Sequence, residues 1–261
     1  MYFQKDHLGP GLHTYLKAEE NGVGLDVQLL ILEAGREAEF LEPEKESAFL
    51  LFCGDVTFSY EGLAREASRT SEFTGEASCL HVCKGVPVRL RARFRSEVYI
   101  QKAYNGAAFP AVFYGPADIQ VQRAGASELE GTMRRDIKTV FDYENAPCSN
   151  MVVGEVLNFP GKWSSYPPHH HPQPEVYFYR FDKPQGFGVG FANGEVFKTG
   201  HNGFLQITGG FHSQAAAPGY ALCYVWGIRH LPGDPWLKTR IDDPEHTWML
   251  APGAKFLEER A

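Results

Sequence analysis

The 261-residue sequence has no apolar run approaching the ~18–20 residues that a membrane-spanning helix needs, and it does not open on a secretory signal pattern. Those two absences predict a cytoplasmic chain with no membrane partner. Positive charge is also short. Against 32 Asp+Glu stand 25 Lys+Arg, a formal net charge of -7, which excludes nucleic acid as the main partner because that binding rests on cations meeting phosphates. The low hydrophobicity that marks disorder is missing too, since 43% of the residues are hydrophobic and 13% aromatic. The five cysteines are odd in number, and four lie among apolar residues, so they read as reduced core thiols rather than a disulfide framework. Cys79-Leu80-His81-Val82-Cys83 holds metal-ligating types, but it alternates like a strand and no second ligand pair follows nearby.

Helical periodicity is scarce, and what the sequence has in its place is alternation. Residues 25–32, 48–60, 86–94, 97–103, 150–157, 175–181 and 221–227 all read as strands, separated by turn signals such as Phe159-Pro160-Gly161 and Ala192-Asn193-Gly194. One set of strands fills about residues 11–120 and a second fills about 135–232, with the small and polar stretch Ala124 to Glu130 between them. The pattern predicts an all-β chain of two related barrels, residues 1–125 and 126–261. Arg89, Arg91, Arg93 and Arg95 share one strand face; a solvent-facing or edge-guarding row is the simpler reading, and an anion-binding or subunit-contact face the alternative. Gly186-Phe187-Gly188-Val189-Gly190 is rich in glycine, but no strand–helix unit surrounds it, so no dinucleotide site is predicted.

Chemistry concentrates between Gly161 and Arg180. His169 and His171 lie two residues apart, so an extended chain projects them from one face, and Glu175, Tyr177 and Tyr179 keep that parity. His170 points the other way. His212 follows Gly209-Gly210-Phe211 on a later strand. Two His, a Glu beyond the next turn and a distant His can converge in one barrel around a divalent transition ion, leaving coordination positions open. The competing reading is an exposed His- and Pro-rich turn. The parity of Glu175 and the Gly pair before His212 favour the built site. The first half has no comparable set: beyond His7 and His13 it has only His81. It therefore reads as a structural or subunit-contact partner.

H-x-H, a nearby Glu and a later His resemble the cupin metal motif. Gly154-Glu155-Val156, the run Gly161 to His171, Phe211-His212, the run Ala215 to Tyr220, and Asp242-Asp243-Pro244-Glu245-His246-Thr247-Trp248 strongly resemble the 5-deoxy-glucuronate isomerase family of inositol catabolism. Arg134-Arg135, Glu175-Val176-Tyr177-Phe178-Tyr179 and Val225-Trp226-Gly227 are similar to the sister family, the 5-dehydro-4-deoxy-glucuronate isomerases of pectin breakdown. The spacing from His171 to Glu175 is shorter than either pattern, and Gly210-Phe211-His212-Ser213 replaces the Gly-Tyr-His-Pro of the inositol enzymes.

The resemblance implies a bicupin with its metal in the second cupin, and an aldose–ketose isomerase turning 5-deoxy-glucuronate into 5-dehydro-2-deoxy-gluconate. It implies His169, His171, Glu175 and His212 as ligands, zinc as the ion with manganese or iron as alternatives, and a small sugar acid as partner; the barrel edges and the arginine row point to a homo-oligomer. An oxygen-dependent cupin and a non-catalytic sugar-binding module remain as competing classes. Isomerisation needs a proton carrier, for which Glu155, Tyr177 and Tyr179 are the candidates; a Tyr of ordinary pKa about 10 is the poorer match as a base. The substrate carboxylate needs a cation, and Arg180 and Lys162 are expected to bind substrate, with Arg134 and Arg135 as alternatives. Gln214, at the parity of His212, is expected to hydrogen-bond a substrate hydroxyl.

Overall fold

Strand Leu25–Leu32 shows how the alternation is used. Leu25, Val27, Leu29 and Ile31 enter one apolar cluster while Leu30 and Leu32 enter another, so the strand is buried on both faces and its polar positions are few. The same division repeats in Glu175–Phe181, where Val176 and Phe178 turn one way and Tyr177, Tyr179 and Phe181 the other. The computed structural model describes residues 1–20, 22–192 and 194–256, and its architecture is all-β, two curled sheet systems of the cupin type.

The first system is a nine-stranded sheet built around the long strand Lys45–Tyr60, which pairs with Leu63–Arg69, Cys79–Val82, Val88–Ala92 and Ser96–Tyr104. Its interior holds Phe49, Leu51, Phe58, Leu80, Leu90 and Ile100. A seven-stranded sheet and a five-stranded sheet make the second system. The seven-stranded sheet is centred on Glu175–Phe181, Leu222–Arg229 and Met151–Asn158; the other contains Trp163–His170, His212–Ala216 and the hairpin Phe187–Ala192 with Glu195–Gly200. That hairpin occupies the glycine-rich stretch, and of its turn signal Asn193 lies outside the described residues.

A third apolar layer joins the two systems. Phe52 and Tyr99 from the first sheet each approach Phe178 of the second, with ring centroids 5.7 Å apart in both pairs, and Leu29, Leu50, Val153 and Val225 complete it. At about 1.5–3 kcal/mol for each fully buried large apolar side chain, this layer holds the sheets together as firmly as either interior holds its barrel.

The sheets do not divide the chain at residue 125. Tyr2–Gln4 pairs with Gly203–Ile207, and Gln120–Ala124 pairs with Arg135–Phe141, so two segments assigned to the first unit by sequence extend the second sheet. Strand registration, which depends on distant partners, is invisible in local alternation. The arginine row is a charged outer face: Arg89 and Arg91 sit opposite Glu39 and Glu37 across neighbouring strands, Arg93 forks onto Asp55, and Arg95 meets Glu33. All five cysteines are free, but only Cys79 and Cys223 are buried, whereas Cys148 is exposed. Among the described residues no helix is long and apolar enough to cross a membrane.

Candidate metal centre

The segment with an exposed His- and Pro-rich turn as its competing reading is the strand Trp163–His170, despite Pro167 and Pro168. It pairs with His212–Ala216 in a register that shifts between Ser164 and His169, and this shift sets His169 directly opposite His212. At Ser165 the backbone is left-handed, with φ 54°. The ring centroids of His169 and His212 are 4.3 Å apart, and those of His171 and His212 are 5.5 Å apart. One nitrogen from each of His169, His171 and His212 lies within 4.8 Å of the others, so this group can hold a metal ion.

Glu175 opens the next strand and turns into the same space. Its Oε2 lies 3.4 Å from Nε2 of His171 and 3.2 Å from Nε2 of His212. Those gaps match the ~3.3–3.4 Å edges of a tetrahedron whose bonds are about 2.0–2.1 Å long. Neither Glu175 Oε2 nor His212 Nε2 has a hydrogen-bond partner, although both are buried. Polar atoms facing one another without hydrogen bonds in a closed interior are costly unless something completes them. A donor set of three imidazoles and a carboxylate fits a divalent ion.

Charge is arranged to suit that role. Burial, the neighbouring His212 ring and the Arg240 guanidinium bring His169 down to about 2, so its ring is neutral and able to give a lone pair. Burial works against the Glu175 carboxylate, but the His171 and His212 rings beside it prevail and hold it well below the usual carboxylate range. Arg240 Nη1 donates to His169 Nδ1 over 3.0 Å, and Nη2 donates to the Pro167 carbonyl over 2.7 Å. His169 Nδ1 also lies 3.4 Å from the Ser165 carbonyl; it accepts from Arg240 in one tautomer of the ring and donates to that carbonyl in the other.

His169, His171 and Glu175 line a cavity of about 730 Å³ in the second barrel, and His212 is buried beside them. Tyr177 lines it, with its hydroxyl 3.4 Å from Ser165 Oγ; Tyr224 lines it beside Tyr177, its hydroxyl 2.7 Å from Ser164 Oγ. Burial pushes the Tyr177 and Tyr179 hydroxyls well above the ordinary tyrosine value. Tyr179 packs on Tyr177 and Tyr224 without lining the cavity. Gln214 is buried near it, its Nε2 3.4 Å from Ser165 Oγ and its Oε1 without a partner. Trp226 and Trp236 pack edge to face at its wall.

Besides Tyr179, three sequence expectations fail here. Glu155 is not in the cavity: its carboxylate pairs with Arg69 and Lys138, at the face of the sheet turned toward the first barrel. Its neighbour Val156 lines the cavity instead, because alternate residues of one strand face opposite ways. Arg180 likewise points to the first barrel, where it donates to Glu72, Glu97 and Asn202 over 2.8, 2.7 and 2.6 Å. Lys162 sits in the turn before the metal-bearing strand, engaged through its backbone, and does not line the cavity. His170 packs on Phe211. Tyr224 and Arg240 are among the cavity residues that went unforeseen. Tyr224 shares the alternation of Leu222, Trp226 and Ile228 and was open to a parity argument. Arg240 lies in an irregular tail whose pairing, Ile241–Asp242 on Trp163–His170, has no local signature.

A model of the KduI/IolB family matches residues 8–249. A 5-deoxy-glucuronate isomerase from Geobacillus thermodenitrificans is 28% identical over 169 residues, which is 59% of this chain and 59% of that protein. One from Bacillus subtilis is 26% identical over 133 residues, 45% of this chain and 48% of that protein. The alignments thus span less than two thirds of these curated relatives. An IolB-like protein from Salmonella typhimurium superposes with a TM-score of 0.86 at 18% identity, over 96% of this chain and 99% of that one. An oxalate decarboxylase from Lactobacillus farciminis superposes at 0.65 with 12% identity, over 96% of this chain and 90% of that one, and shares the fold. Matched from residue 8 to residue 249, the chain belongs to the KduI/IolB family.

Proposed function

We propose that this protein is a metal-dependent aldose–ketose isomerase, an intramolecular oxidoreductase that converts 5-deoxy-glucuronate to 5-dehydro-2-deoxy-gluconate in inositol catabolism, with zinc as its ion. The observation that carries this reading is the convergence of His169, His171, His212 and Glu175, with partnerless atoms turned inward, at a cavity large enough for a six-carbon acid. The names of the relatives supply the substrate.

A divalent ion at these residues supplies Lewis-acid stabilisation of the negative charge that develops on adjacent carbonyl and hydroxyl oxygens as a proton moves between their carbons. The chain's own groups do the rest. Because burial keeps the Tyr177 hydroxyl protonated, it serves as a hydrogen-bond donor to a substrate oxygen rather than as a base. Ser164 orients the Tyr224 hydroxyl, and the partnerless Gln214 Oε1 is an acceptor for a substrate hydroxyl. Trp226 and Trp236 keep bulk water from the reacting end.

The test is NMR of the zinc-loaded protein with 5-deoxy-glucuronate and, separately, 5-dehydro-4-deoxy-glucuronate, with and without oxygen. Turnover of the first compound at equal rates in air and under argon supports the reading. Exclusive turnover of the second would move the assignment to the sister family. Consumption only in air would replace isomerisation by oxygen chemistry.

A further inference from the structure

The candidates for holding a substrate carboxylate that the sequence placed first, Arg180 and Lys162, are outside the cavity, so the acid group of a bound uronate still needs a cation. Among the described residues three cations line the cavity: Arg135, Lys238 and Arg240. Two are already neutralised. Lys238 meets Asp142 at 3.3 Å and Glu144 at 2.6 Å. Arg240 donates through Nε to Asp242 over 2.6 Å and spends both Nη groups on His169 and Pro167.

Arg135 differs. It opens the strand Arg135–Phe141 and shares its cavity-facing parity with Ile137 and Thr139. Among the described residues its guanidinium makes one hydrogen bond, from Nη1 to the Met133 carbonyl at 2.8 Å, and no ion pair. Glu128, the other cavity-lining carboxylate in its field, forms no bridge to it. Burial, together with the nearby Arg240 guanidinium, outweighs the fields of Tyr224 and Glu128 and destabilises its charged form, so the cation is held in a partly dry wall without an ion pair. A guanidinium has five donors in a planar fork that fits a carboxylate bidentately. Along the strand axis Arg135 stands in the row of Asn158 and Leu222 and Glu175 in the row of Ile228, with Tyr224 and Trp226 in the rows between; Tyr224 and Tyr177 ring centroids are 4.9 Å apart, and those of Tyr177 and His212 are 5.9 Å apart. That spread separates an acid end from a reacting end, as an open-chain uronate requires.

We propose that Arg135 binds the carboxylate of the substrate and thereby selects sugar acids over neutral sugars. The proposal rests on the isomerase reading for the identity of the acid, but not for the binding of an anion. The experiment compares wild type with Arg135→Gln and Arg135→Lys, each zinc-loaded. Calorimetry with D-gluconate, an aldonate with no aldehyde to isomerise, reads binding alone. Turnover is measured with 5-deoxy-glucuronate and with the neutral 5-deoxy-glucose, which has CH2OH in place of the acid.

Loss of a charge-assisted fork is expected to weaken gluconate binding and raise KM for the uronate by about 10- to 100-fold in Arg135→Gln, with kcat within about threefold. Arg135→Lys keeps the charge without the fork and falls between. Zinc content and the rate with 5-deoxy-glucose are unchanged. Because Arg135 has no anionic partner in the fold, Tm stays the same or rises in Arg135→Gln, which a structural arginine would not do. Equal gluconate binding in wild type and Arg135→Gln, or none in either, overturns the proposal whatever the turnover. Lost gluconate binding in a protein that isomerises no uronate upholds the anion site and sinks the isomerase reading instead.

Discussion

Arg69 and Glu155 meet as a fully buried two-pronged pair between the barrels, with Arg69 Nη1 donating to Glu155 Oε2 over 3.0 Å and Nη2 to Oε1. Lys138 Nζ joins the same carboxylate at 3.0 Å. Burial alone would raise the Glu155 pKa, but Arg69 and Lys138 together hold it below the ordinary 4.5. A carboxyl depressed in the folded state stabilises at pH above its unfolded value and loses that contribution as pH falls through the folded one. Glu155→Gln is therefore expected to cost about 3–5 kcal/mol near neutral pH, because it strands two buried cations. Urea titrations of both proteins from pH 7 to pH 3 should show the gap narrowing below pH about 4.5; a gap that stays constant removes the linkage. Activity per folded molecule should survive, since the carboxylate faces away from the cavity.

Metal removal should act through the folded state. An ion bound to the native but not the unfolded chain stabilises by about 2.7 kcal/mol at a hundredfold excess over Kd, which is a Tm shift of about 5–10 °C for a chain this long. Zinc added to chelator-treated wild type should raise Tm by that amount. His169→Ala and His212→Ala should show no such rise and should retain less than one zinc per chain by atomic emission. An unchanged zinc content in either variant would remove that residue from the ligand set.

Arg180 distinguishes structural from substrate-binding charge. Its guanidinium answers Glu72 and Glu97, both on the first barrel, and no cavity atom. Arg180→Gln should lower stability by about 3–5 kcal/mol by stranding two carboxylates. KM for the uronate, measured well below the variant's Tm, should move less than about twofold. A tenfold rise in KM with intact stability would return Arg180 to the substrate.

Gly154 makes room for a cavity wall. A Cβ there would overlap the Trp226 indole, whose ring lies flat over the glycine. Gly154→Ala is expected to cost about 1–3 kcal/mol through overpacking and to push Trp226 toward the space the substrate needs. Tryptophan fluorescence should shift and KM should rise; an unaltered spectrum with normal KM would show that the wall yields elsewhere.

Strand positions were legible because period-two alternation is a local property, and Leu25–Leu32 and Glu175–Phe181 fall where the sequence puts them. Parity also grouped His169, His171 and Glu175. What parity withholds is which of two buried faces is the cavity. Glu155 and Arg180 lie on strands covered on both sides; nearness in sequence raised Arg180 although alternation turns it from Glu175, and both face the neighbouring barrel.

The order of residues by itself determined an all-β chain, the spacing of its ligands and the segment where chemistry gathers, since each follows from side chains a few positions apart. Tertiary structure alone decided that His212 stands opposite His169, that Arg240 covers the site, and that Arg135 faces the cavity without an ion pair among the described residues while Arg69 and Arg180 have theirs. Those outcomes depend on registers between strands far apart in the chain, and a register is chosen by the packing of whole sheets.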